Sequence, residues 1–249
     1  MIAKRALGFS LLLTSALVLG LSSARRAQAQ VALPPGTTTG IPVPIISAGA
    51  PPFGGSLIQE LSSPIFGTNI VNTISGTVTS AVFRSPAGFL DFAYQFRFDP
   101  TTNVALDAIS LSSFKNIAGL LIAQTSDDID GAAGLPAEAA GGALQDFFAP
   151  ATATGSYSSA SRSNVNGDGI NATFLTGVTG GETSYTFLVR TQATGFSIGG
   201  SASVQGGGIS AFTPAQGALV PLAASAPEPG TLALIALGAL ALGVGRRRP

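Results

Sequence analysis

Catalysis in this 249-residue chain would have to run on carboxylates. It holds no histidine and no cysteine, so Ser-His-Asp and Cys-His nucleophiles, imidazole metal sites and thiolate chemistry are closed to it. Two acids facing each other across a cleft would suit glycoside hydrolysis. Eleven acids between the chain's ends are available, the aspartates Asp91, Asp99, Asp107, Asp127, Asp128, Asp130, Asp146 and Asp168 with Glu60, Glu138 and Glu182, and their spacing selects no pair. Two short runs have oxygen ligands spaced for calcium. Asn164, Asn166 and Asp168 alternate ahead of Gly169 like the opening of an EF-hand loop, but Leu175 stands at the twelfth position, where a bidentate glutamate is required. Asp127, Asp128 and Asp130 crowd together before Gly131. Asp and Asn are also the usual turn formers, and the expectation is no catalytic residue, no metal and no cofactor.

The two ends carry a different kind of chemistry, that of export and cleavage. Lys4 and Arg5 precede an apolar run over 6–21, followed by the small-x-small sequence Ala27-Gln28-Ala29. That order predicts a secretory signal peptide over 1–29, cut after Ala29. The run falls short of the ~20 residues a permanent span needs, and Arg25-Arg26 lie on the wrong side of it for a twin-arginine signal. At the other end Pro227, Glu228 and Pro229 introduce an apolar segment over 231–245, closed by Arg246, Arg247 and Arg248. As a helix that segment is about 22 Å long, short for a ~30 Å hydrocarbon layer, so it predicts a weak, temporary transmembrane helix. Cations at both ends stay on the cytoplasmic side, which leaves the chain between them outside.

A Pro-Glu-Pro tripeptide, a short apolar helix and a terminal arginine cluster, on a chain with a signal peptide, resemble the PEP-CTERM sorting domain of Gram-negative bacteria over 226–249. The resemblance implies that Pro227, Glu228 and Pro229 are recognised by exosortase, an integral membrane protease. It also implies that Arg246 to Arg248 form the cytoplasmic stop, and that the product is released or re-attached at the cell surface or outside. The family is associated with exopolysaccharide and biofilm.

Between the two export segments the charge balance changes sign. Residues 30–226 hold five basic and eleven acidic side chains, a net charge of −6, which disfavours nucleic acid and anionic membranes as partners. Prolines and glycines over 30–56 predict a linker, and 214–225 a second one. The intervening 57–213 is long enough for one domain with its own core. Its clearest element is a strand over 90–99, where Leu90, Phe92, Tyr94, Phe96 and Phe98 alternate with Asp91, Ala93, Gln95, Arg97 and Asp99. This predicts one greasy and one wet face, stopped at Pro100.

Residues 70–84 read as one or two strands bent at Gly76. Residues 169–178 and 182–194 read as a hairpin closed around 179–181, and 196–212 as a final strand pair punctuated by glycines. Residues 104–123 read equally as two strands or a short helix, and the Ser/Thr-rich 152–163 as an exposed loop. The fold expected is mainly β: a single antiparallel β-sandwich or jelly-roll-like domain, flanked by an N-terminal signal helix and a C-terminal transmembrane helix.

Three function classes follow. The leading one is an exported, exosortase-processed, non-enzymatic envelope or extracellular matrix protein associated with exopolysaccharide and biofilm. Its partners are the general secretion machinery, exosortase, exopolysaccharide and, transiently, the membrane, with no nucleic acid. The alternative is a carbohydrate-binding, lectin-like β-sandwich, which would use exposed aromatic side chains for sugar stacking. The third is a carboxylate-dependent glycosidase.

Overall fold

Alternation along one strand sets the core. Leu90, Phe92, Tyr94, Phe96 and Phe98 all point to one side of their strand and are fully buried together, as a two-residue period requires. The aromatic row is therefore interior and offers no sugar-stacking platform.

The computed structural model describes residues 30–41, 55–126, 147, 155–164, 166–214 and 217–222. The described residues contain no long helix. They form β1 (Val31–Ala32), β2 (Thr38–Gly40), β3 (Ser56–Thr68), β4 (Thr73–Arg84), β5 (Leu90–Phe98), β6 (Leu106–Leu111) and β7 (Leu121–Thr125). After these come β8 (Tyr157–Arg162), β9 (Ile170–Val178), β10 (Thr186–Arg190), β11 (Phe196–Gly200), β12 (Ala202–Gly206), β13 (Ile209–Phe212) and β14 (Ala218–Pro221). Residues 1–29 and 231–245, expected as signal helix and transmembrane helix, lie outside the described residues.

The architecture is a barrel-like wall rather than the expected two-sheet sandwich. Twelve strands form one sheet in the order β1-β7-β10-β5-β4-β3-β13-β12-β6-β9-β8-β2, with antiparallel pairing throughout. The first and last strands of that order are consecutive in the chain. Leu33 donates its N–H to Leu120 at 3.0 Å, three residues later Gly36 donates to Arg162 at 3.2 Å, and Arg162 in turn donates to Thr37 at 3.0 Å. The start of the Pro/Gly-rich 30–56 segment, expected as linker, thus fastens one edge of the sheet to the other. Pro34 and Pro35 sit at the crossing between the two short strands, where no ladder donor is needed.

The seam has a second fastening. Gln124 on β7 points inward, its amide donating to the Tyr157 carbonyl at 2.8 Å and accepting from the Tyr157 N–H at 2.7 Å. One side chain so replaces a rung of ladder between β7 and β8.

A small second sheet, β11 paired with β14, completes the core. Ala218, Leu219 and Val220 are buried in the main cluster, although 214–225 was expected to be a spacer. Two hydroxyls from the wall fix the backbone there. Tyr94 donates to the Leu219 carbonyl at 2.6 Å, and the Leu219 N–H donates to Ser80 Oγ at 3.1 Å.

Three further expectations are corrected. The outer face of β5 is not wet, because Asp91, Ala93 and Gln95 are buried. A second cluster of Ala81, Phe83, Ala93, Ala123, Phe147 and Leu188 covers that side of the sheet. Strand β4 runs through Gly76 as one continuous element, and a Cβ there would overlap the Arg97 carbonyl. The glycine permits close strand approach rather than a bend.

The third concerns pairing. β9 and β10 flank a turn in which Glu182 N–H donates to the Thr179 carbonyl, yet they form no hairpin. β9 pairs with β6 and β8, whereas β10 pairs with β5 and β7. The ambiguous 104–123 stretch resolves as β6 and β7, and the 196–212 stretch expected as one strand pair holds three strands, with β12 and β13 paired and β11 paired instead with β14.

Gln124→Leu leaves both main-chain groups of Tyr157 buried without that partner. The expected cost is about 2–4 kcal/mol, read as a fall in Tm of ~4–16 °C by circular dichroism. Tyr94→Phe strands a single carbonyl and should cost about 1–2 kcal/mol in the same measurement.

Candidate functional site

None of the residues singled out for sorting is described: Ala27, Ala29, Pro227, Glu228, Pro229, Arg246, Arg247 and Arg248 all lie outside the described residues. Asp127, Asp128, Asp130 and Asp146 do too. What the structure does place is the strand that leads toward the sorting tripeptide. β14 ends at Pro221, and four residues separate Leu222 from Pro227.

The described site with the most unusual chemistry surrounds Arg162, the last residue of β8. It is 4% exposed, although the stretch around it was expected to be a loop. Its guanidinium is held by carbonyls alone. Nε donates to Gly167 at 2.9 Å, Nη2 donates to Phe114 at 2.9 Å and to Ile117 at 2.8 Å, and Nη1 reaches Leu33 only at 3.5 Å. No carboxylate among the described residues pairs with it. Burial lowers its pKa from the ordinary value, as expected for a cation with dipolar but no ionic compensation.

Three loops aim those carbonyls. Asn116 adopts a left-handed backbone at φ 60°, and Gly119 and Gly167 do so at 61° and 65°. Asn116 N–H donates to the Asn166 carbonyl at 3.0 Å, and Phe114 N–H to that of Asp168 at 2.9 Å. Gly167, in the stretch considered for calcium, thus gives its carbonyl to a guanidinium. Among the described residues no three His, Cys, Asp or Glu side chains group together.

Beside Arg162 lies an open cavity of about 420 Å³. Pro34, Pro35 and Ile117 give it apolar walls, Asn116 and Asn166 give it amides, and its lining contains no acid. Sequence reasoning missed this site. The only signal was a lone arginine ending a run of small residues, at a position in register with buried Ala160.

A second charged group lies on the outer face of the sheet. Arg190 holds Asp91 in a two-point contact, Nε to Oδ1 at 3.1 Å and Nη2 to Oδ2 at 3.3 Å. Burial nevertheless raises the Asp91 pKa to about 6, against the lowering by the Arg190 hydrogen bond and charge. Asp99 accepts from the Ser75 hydroxyl. Asp91 therefore ties β5 to β10, and it does not line the cavity beside Arg162.

The last described strand is locked in the core, and four residues separate Leu222 from the Pro-Glu-Pro sequence. The family model of the PEP-CTERM protein-sorting motif matches residues 225–248, and the chain is a PEP-CTERM domain-containing protein. The motif marks it for export and surface targeting through the membrane-bound exosortase. The match lies wholly beyond the described residues. No curated protein and no solved structure matches the chain.

Asp91 gives a pH signature. The folded state holds its proton up to about pH 6 while the unfolded chain releases it near 3.8, so this group's contribution to stability falls as pH rises through that window. The Tm of Asp91→Asn relative to the native chain should therefore climb from pH 4 to pH 7. A constant difference across thermal melts at those pH values would contradict it.

Proposed function

We propose that the chain is a non-enzymatic component of the cell envelope or extracellular matrix, exported through the general secretory route and trimmed by exosortase, that acts around exopolysaccharide. The observation that carries this reading is the sorting motif at 225–248. The signal-peptide pattern over 1–29 supports it from the other end. The lack of histidine and cysteine supports a role without catalysis, as does a cavity whose lining offers no acid for general acid–base work.

The fold is compatible with loss of the tail. A cut at or beyond Pro227 leaves β14, Ala218–Pro221, in place, so trimming removes no residue of the described core. The mature domain then keeps its net negative charge, which suits solubility outside the membrane.

The test is intact-mass analysis of the protein recovered from cells with and without exosortase. Native chain should lose both termini when the protease is present, and Glu228→Ala should accumulate as a precursor still carrying residues 231–249. An unchanged carboxy terminus in both strains would make the segment a plain membrane anchor.

A further inference from the structure

From the carbonyl cage and the cavity beside it, we infer that the chain has a binding site for a small organic carboxylate, with Arg162 as its cationic floor. The inference is independent of where the sorting tail takes the chain. It starts from an electrostatic imbalance. A guanidinium that is 4% exposed and has no carboxylate among the described residues keeps its full charge in a poorly solvated place, where charges are normally paired. The carbonyls of Gly167, Phe114 and Ile117 occupy Nε and Nη2, whereas Nη1, with two N–H groups, meets a single acceptor at 3.5 Å. That nitrogen reaches toward the Leu33 carbonyl, whose chain neighbours Ala32 and Pro34 line the cavity together with Arg162 itself.

The surrounding groups suit a carboxylate with an organic body rather than a bare inorganic anion. Asn116 and Asn166 line the cavity, and the side-chain amide nitrogens of both have no partner among the described residues. Pro34, Pro35 and Ile117 present C–H surface against which an apolar ligand face can rest. The volume of about 420 Å³ falls within the ~300–1,000 Å³ typical of small-ligand pockets. Left-handed backbone at Asn116, Gly119 and Gly167 gathers at this one place. Non-glycine residues hold such conformations where the surrounding structure imposes them.

Replacing Arg162 would also cut the three loops loose, so the decisive variant lies at the rim. Ala118 is exposed and lines the cavity. Ala118→Glu supplies a tethered carboxylate that competes for the site, whereas Ala118→Gln adds the same bulk without charge. Full-length protein purified in detergent is titrated with sodium acetate, sodium galacturonate, galactose and sodium sulfate, read by calorimetry and by Tm.

The expected result is saturable binding of a carboxylate, with Kd below ~1 mM and a Tm rise of a few degrees at saturation. Galactose should be inactive. Ala118→Glu should weaken the affinity at least tenfold, and Ala118→Gln less than threefold. Galacturonate binding at least tenfold tighter than acetate assigns the organic body to a sugar acid, and equal affinities assign the site to the carboxylate group alone. No heat and no Tm shift with either carboxylate, an equal response to sulfate or galactose, or undiminished binding by Ala118→Glu would each overturn the inference.

Discussion

An antiparallel sheet has two edges, and everything else in this domain depends on how those edges are joined. Unpaired edge groups invite pairing with other chains, and a closed sheet has none to offer. Here β7 and β8 approach each other without a ladder of their own. The gap is filled by an arm from the start of the described chain, whose β1 pairs with β7 and whose β2 pairs with β8. The Gln124 amide fills it further along, at Tyr157. Closure turns the inward faces of the strands toward a common interior, which is why residues as distant in sequence as Leu33, Tyr94, Phe174 and Val220 share one cluster.

Closure also explains why a charge sits at the seam. Loops 112–120 and 163–169 and the arm at 33–37 converge there with carbonyls pointing inward, and apolar side chains cannot satisfy carbonyls. The Arg162 guanidinium spreads its donors across all three, a geometry that a planar fork provides and an ammonium does not. The same side chain thereby anchors the seam and leaves a cation beside the cavity. The donors that gather the three carbonyl sets and the charge that borders the cavity belong to one delocalised cation.

Local pattern was legible and long-range pairing was not. The two-residue period over Leu90–Phe98 is a local property, and that strand formed where the spacing put it, whereas of the 196–212 stretch only β12 and β13 pair with each other. Four features depend on partners far away in sequence and left little local trace. Strand β3 had only modest alternation, the face of β5 expected to be wet is covered by Phe83, Leu188 and Phe147, β9 and β10 diverge from a well-formed turn, and residues 31–40 read as linker because the prolines and glycines over 30–56 outweighed two short strands. The tail was the opposite case: the Pro-Glu-Pro tripeptide, apolar run and arginine cluster form a linear pattern, matched by the family model over 225–248, and such a pattern is legible without a fold.

Strand β14 is where the linear signal meets the folded one. Its backbone is clamped at Leu219 by Ser80 and Tyr94, its side chains lie in the core, and Leu222 still donates its N–H to Gly195 at 2.9 Å. Force or disorder in the tail must therefore break two buried hydroxyl contacts before it reaches the wall, and buried hydrogen bonds resist opening because their groups find no water on the way out. The four residues between Leu222 and Pro227 allow about 3.3–3.6 Å of reach each, so the folded passenger stays within a short tether of the tripeptide. The clamp at Leu219 therefore separates the linear signal from the packed wall by two buried hydrogen bonds.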